Sequence, residues 1–150
     1  MLSVTWVVAI HDEGCIHPAR KKPVGDRLAY LALQKTYGIT GFDAISPMYE
    51  SHRIEGGKVY VKFTDSEMGV GPQGRNLEGL EVAGEDRVFY PAKARTTKDC
   101  NVLVRSSEKV LEPTAVRYAY RNHSVISVYN AFGIPASPFR TDTWGVESLL

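Results

Sequence analysis

The hydrophobic positions of this chain change their period once, near residue 40. Val4 to Ile10, VTWVVAI, is a nearly continuous apolar run rich in β-branched residues. Continuous rather than alternating hydrophobicity fits a strand covered on both faces, as in a parallel sheet flanked by helices. A polar loop from His11 to Pro18 follows, and then a helical period begins. Val24, Leu28, Leu31 and Ala32 fall at i, i+4, i+7 and i+8 and form one apolar stripe, widened by Tyr30, Leu33 and Tyr37. Pro23 suits the first turn, where an amide hydrogen would lack a partner anyway, and Gly38 suits the C-cap. Residues 1–38 therefore read as strand, loop, helix.

Beyond them the period shortens. MYESHRI, KVYVKFT, LEGLEVAG, RVFYPAKA, NVLVRSS and TAVRYAY are short β-forming segments, several of them alternating. Gly56-Gly57, Glu85-Asp86 and Lys98-Asp99 mark turns between them. Such strands at roughly ten-residue spacing predict an antiparallel sandwich. NAFGIPASPFRTDTW, rich in proline and glycine, reads as an ordered extended segment. The boundary between the two parts lies at Gly38 to Ser46. The first part poses a physical difficulty, because one strand and one helix cannot bury their apolar faces alone. Either they pack on the sandwich, or other polypeptide supplies the rest of a sheet.

Composition narrows the classes. The 150 residues are 43% hydrophobic and 23% charged, enough for a packed core. The formal net charge of +1 gives no reason to invoke nucleic acid or an anionic membrane, and Arg20, Lys21 and Lys22 read as a solvated helix start. Cys15 and Cys100 make neither a disulfide framework nor a zinc site, and no cofactor is indicated. The first fourteen residues lack the basic start and small-residue cleavage site of a leader, and their apolar run is too short to span a bilayer.

The chemistry concentrates in EGCIHPARKKPVGDRL. His17 sits in the loop between a strand of α/β type and its helix, at the carboxyl end of the strand, where open α/β sheets gather their sites. Pro18 holds the histidine backbone extended. Asp12 and Glu13 are near enough to orient the imidazole, fixing its tautomer as the third member of a triad does. Cys15 lacks any cue for thiolate stabilisation and reads as a small buried residue. His11, His52 and His123 read as structural or solvent-facing. GVGPQG, Gly69 to Gly74, fits the letters of a dinucleotide fingerprint, but Pro72 interrupts it and a strand pattern follows, so it reads as a sandwich loop. Arg117, Tyr118 and Tyr120 alternate between faces of a strand. Arg140, Asp142 and Trp144 either line a sugar-binding rim or, the reading favoured here, tie the closing segment back to the first part.

Several blocks together carry a family resemblance. IHPARKKPVGDRLAYLALQKTYG, GLEVAGEDRVFYPAKA, EPTAVRYAYRN and YNAFGIPASPFRTDTW resemble, in order, the final histidine block, sandwich strands and closing segment of sialate O-acetylesterases, carbohydrate esterases of the SGNH-hydrolase type. They cover most of residues 14–144. The resemblance implies an α+β chain: a strand-loop-helix remnant of an SGNH α/β (flavodoxin-like) domain over residues 1–38, then an antiparallel β-sandwich with its extended C-terminal segment over 46–144. It implies that His17 is the catalytic histidine of a serine-histidine acyl transfer on acetylated sialic acid or another acetylated sugar. The family's glycine-glutamine-serine block and its oxyanion glycine and asparagine lie upstream and have no counterpart here. The chain alone is therefore expected to be inactive, its nucleophile coming from a missing N-terminal esterase part.

One position departs from the pattern. The family's aspartate three residues before the histidine is replaced by Gly14, so the orienting acid falls to Asp12, which we prefer, or Glu13. By resemblance the compartment is secreted, periplasmic or lysosomal. The alternative from a different class is a non-catalytic sandwich module that binds carbohydrate or a partner protein. A second copy of the chain, paired through VTWVVAI, is a further possible partner.

Overall fold

The computed structural model describes residues 21–72, 76–97, 102–105, 108–121 and 124–145. The readings of the Val4 to Ile10 strand, His11, Asp12, Glu13, Cys15, His17, the Lys98-Asp99 turn, Cys100 and His123 fall outside that set. Helix α1 (Lys22–Lys35) opens with Pro23 in its first turn and an exposed Lys22–Asp26 ion pair one turn apart. It ends at Thr36, slightly earlier than Gly38 suggested. Gly38 still turns the chain, with φ +67°, and the next amide, Ile39 N–H, returns to the Leu33 carbonyl at 3.0 Å. Only glycine takes that left-handed conformation without strain.

The remainder is β structure, in strands β1 (Tyr49–Glu55), β2 (Lys58–Phe63), β3 (Val70–Pro72), β4 (Leu80–Ala83), β5 (Tyr90–Pro91), β6 (Ala94–Thr96), β7 (Val102–Arg105), β8 (Ala115–Tyr118), β9 (Val128–Asn130) and β10 (Phe139–Arg140). One sheet has the order β1-β2-β7-β6 and another β10-β8-β4-β5, with β3 and β9 as a separate pair; every pairing is antiparallel. The predicted sandwich is therefore present. GVGPQG differs in part: Val70–Pro72 is the strand β3 rather than loop, and it pairs with β9.

Alternation explains how the layers close. In β2 the odd positions Val59, Val61 and Phe63 point inward, while Lys58 and Lys62 stay exposed and Tyr60 half-buried. Val102 and Val104 on β7 continue this inner face, and Val82 and Val116 come from the opposite sheet, all at 0% exposure. Each such valine contributes about 1.5–3 kcal/mol of burial. Phe139 of β10 joins the layers, stacking on Tyr49 at 4.9 Å between centroids and meeting Phe63 edge-on at 5.8 Å. The hairpin from β1 to β2 turns on Gly56 and Gly57, with φ +55° and +69°, the two-residue turn whose twist matches the strands. A Cβ on Gly57 would stand 2.7 Å from the Leu111 carbonyl oxygen, so a side chain is excluded there sterically as well.

Buried polar groups fix the loops. Tyr118 is fully buried, and its hydroxyl accepts from the amides of Ser127 at 3.0 Å and Val128 at 2.9 Å. Ser127 Oγ then donates to the Glu78 carbonyl and accepts from its amide. These bonds draw the 124–128 segment onto Gly79, where a Cβ would meet the Val125 carbonyl oxygen at 2.3 Å. Among the described residues no buried side-chain nitrogen or oxygen lacks a partner.

Candidate functional site

Helix α1 is the described element nearest in sequence to the predicted catalytic histidine, His17, and it is held at its carboxyl end. Gln34 does the holding. Its amide nitrogen donates to the Phe42 carbonyl at 3.0 Å, and its oxygen accepts from the Ala44 amide at 3.4 Å. Tyr30 meets Phe42 edge-on at 5.8 Å. The chain after the helix is then clasped by the closing segment: Asn130 Nδ2 donates to the Ile45 carbonyl, and the Ser137 amide to the Pro47 carbonyl. Asn130 Oδ1 also accepts from the amides of Phe132 and Ile134, closing the NAFG turn.

This clasp leaves a cleft of about 370 Å³ between the end of α1 and the sandwich, lined by Gln34, Phe42, Asp43, Asp65, Met68 and Phe132 among others. Met68 and Phe132 are exposed, at 70% and 46%. Asp43 accepts from the Ile45 amide and Asp65 from Thr64 Oγ1, so these carboxylates serve local turns. Gln34 lies twelve residues from the start of α1, about 18 Å along the axis. The cleft thus lies at the end of the helix remote from Lys22.

Arg140, Asp142 and Trp144 do not form a rim. Arg117 Nε and Nη2 donate to the two Asp142 carboxylate oxygens at 2.8 and 2.7 Å, and the side chains are 2% and 0% exposed. This is the planar two-point fit that favours arginine over lysine. Strand alternation turns Arg117 away from the core, but Phe89, 3.8 Å from the guanidinium, covers it from outside. Arg140 donates to the carbonyls of Asp142 and Trp144, and Trp144 packs on Phe89 at 5.6 Å. Burial alone would raise the Asp142 carboxyl. The Arg117 hydrogen bonds and charge, the Arg140 charge and the Trp144 amide outweigh it and hold the group below its ordinary value. These residues are an anchor, but one within the sandwich, to β8 and the Phe89 loop, rather than to the first part as expected.

His52, the one histidine among the described residues, shares a 2.7 Å hydrogen bond through Nδ1 with the Tyr49 hydroxyl. Burial pushes that tyrosine up. The partner is a tyrosine, not a serine, and the histidine is structural, as expected. Among the described residues no group of three His, Cys, Asp or Glu is placed to hold a metal ion. Sequence reasoning missed Gln34, Ser127 and Asn130. Only Asn130 carries a local signal, an asparagine ahead of a glycine-containing turn.

No family model matches the chain, and no curated protein matches it. Among solved structures it is similar to a carbohydrate acetylesterase from Xanthomonas citri, with 35% identity and a TM-score of 0.78 over 90% of this chain and 31% of that one. The chain thus spans about a third of the length of that enzyme. The similarity relates it to one part of a carbohydrate esterase.

Proposed function

We propose that this chain is the C-terminal part of an SGNH-type carbohydrate acetylesterase and contributes the catalytic histidine, His17. The observation that carries the reading is the similarity to the Xanthomonas citri acetylesterase over 90% of this chain. Supporting it, helix α1 buries none of its residues, as fits a helix whose sheet is made by other polypeptide. In this reading a serine hydroxyl outside these residues attacks the acetyl carbonyl carbon while His17 takes its proton. His17 then returns the proton to the departing sugar oxygen, and water, deprotonated by the same imidazole, releases acetate from the acyl-serine. Asp12 orients the ring, with Glu13 as the substitute. The finer assignment is an acetyl ester on sialic acid, supported by the order of the four resembling blocks.

Acetate release from p-nitrophenyl acetate tests the reading. The chain alone should be inactive, and mixing with the polypeptide that carries a glycine-glutamine-serine block should restore turnover that His17→Ala removes. Turnover by the chain alone that His17→Ala abolishes would overturn it, since the nucleophile would then lie within these residues. Comparing O-acetylated sialic acid with an acetylated neutral sugar decides the substrate. The module reading has one observation in its favour: the sandwich core closes without α1. Glycan binding by residues 40–150 would support it.

A further inference from the structure

We propose that the outer face of the β1-β2-β7-β6 sheet is a docking surface for an acidic saccharide chain, separate from the esterase site. The argument starts from register. Ser51 pairs with Lys62, Arg53 with Tyr60 and Glu55 with Lys58, so these residues share the face opposite the valine core. Arg95 lies in the same row as Tyr60, reached through β7, and is exposed. Three strand spacings separate Arg53 from Arg95, about 14 Å. Arg53, Lys58, Lys62 and Arg95 stand against Glu50 and Glu55. Among the described residues that is four cations to two acids, a local positive excess.

Within it Ser51, Arg53, Tyr60, Lys62 and Thr97 line a depression of about 170 Å³. Lys62 is held by Glu50 at 3.0 Å. Arg53 is held differently. Its guanidinium lies 4.4 Å from the Tyr60 ring centroid, stacked and oriented, while Glu55 is 3.7 Å away, beyond hydrogen-bond length. It makes no hydrogen bond to a described residue, so a fork pre-set by the tyrosine keeps its donors for a ligand. A planar fork matches a carboxylate in two-point fashion, and Lys62 adds a second charge beside it. The Ser51 hydroxyl supplies a short polar group that suits a sugar hydroxyl. Cations in rows with a small hydroxyl among them complement a chain of carboxylated sugars.

The surface does not depend on the esterase reading, and its test leaves acetyl release aside. The full chain is titrated by calorimetry with a galacturonate oligomer, its methyl ester and a neutral gluco-oligomer of the same length, at low and high salt. The acidic oligomer should bind, the other two should not, and salt should weaken binding. Arg53→Ala should weaken it on the order of tenfold, and Arg53→Lys by less, because the charge survives and the fork does not. Lys35→Ala, on α1, serves as the control and should bind as the parent does. Because Arg53 is exposed, an unchanged melting temperature separates loss of binding from loss of fold. Absence of binding by the parent, equal binding of the methyl ester, or an unaffected Arg53→Ala would overturn the proposal. So would duplex DNA that binds as tightly as the oligomer and depends equally on Arg53, since that marks general anion attraction.

Discussion

Val61 and Leu28 are both aliphatic residues in regular secondary structure, yet the first is 0% exposed and the second 50%. The contrast runs through the molecule. The sandwich covers both inner faces with its own residues and satisfies its buried polar groups, whereas α1 has an apolar stripe and no buried side chain. Periodicity reports which way side chains face, but burial depends on what stands opposite. A stripe is therefore a request for a partner, and in α1 the described residues answer it only at Tyr30, which meets Phe42, and bury none of it.

The largest effect should come from breaking the sandwich where charge is buried. Arg117→Ala leaves the Asp142 carboxylate without its partner and should cost about 3–5 kcal/mol in urea unfolding. The same pair sets the acid limb of stability. The folded Asp142 carboxyl sits below its ordinary value, so its contribution is present above the unfolded value and lost as pH falls through the folded one. Melting scans from neutral to acid pH should show that loss, and Asp142→Asn should flatten it.

Next comes Tyr118→Phe, which keeps the ring but strips the acceptor from two buried amides. A loss of about 1–3 kcal/mol is expected by the same unfolding measurement. Burial raises the Tyr118 hydroxyl, so the parent's stability should be intact below the unfolded tyrosine value and fall as pH rises through the folded one. The phenylalanine variant should lack that contribution.

The smallest effect should fall on the helix. Leu28→Ala should change the stability of this chain by less than about 0.5 kcal/mol, since half of the side chain already meets solvent. Added esterase polypeptide should raise that cost if it covers the stripe. An equally small cost in both settings would remove the helix from the argument for a missing sheet.

The sandwich was legible because its signals are local. Alternation in KVYVKFT placed Val59, Val61 and Phe63 inside, and Gly56-Gly57 marked the hairpin. The helix was legible for the same reason, within a few residues at its end. Arg117 was not. Its partner is 25 residues away, and alternation alone sends it to solvent; the closing segment, folded over β8, and Phe89 together turn an outward position into a buried one. Ser127 escaped notice similarly, since its bonds to Glu78 span 49 residues. His17 and Asp12 were named from their motif and the family resemblance, and both lie outside the described residues.

The carboxamide of Gln34 is the feature with the longest reach. One flat group grips the strand-side chain at two points, so the helix leaves the β body at a set angle, as a spoke leaves a hub. The spoke's far end takes its bearing from that grip. Trading the amide for an alanine would loosen the bearing while leaving every valine in place.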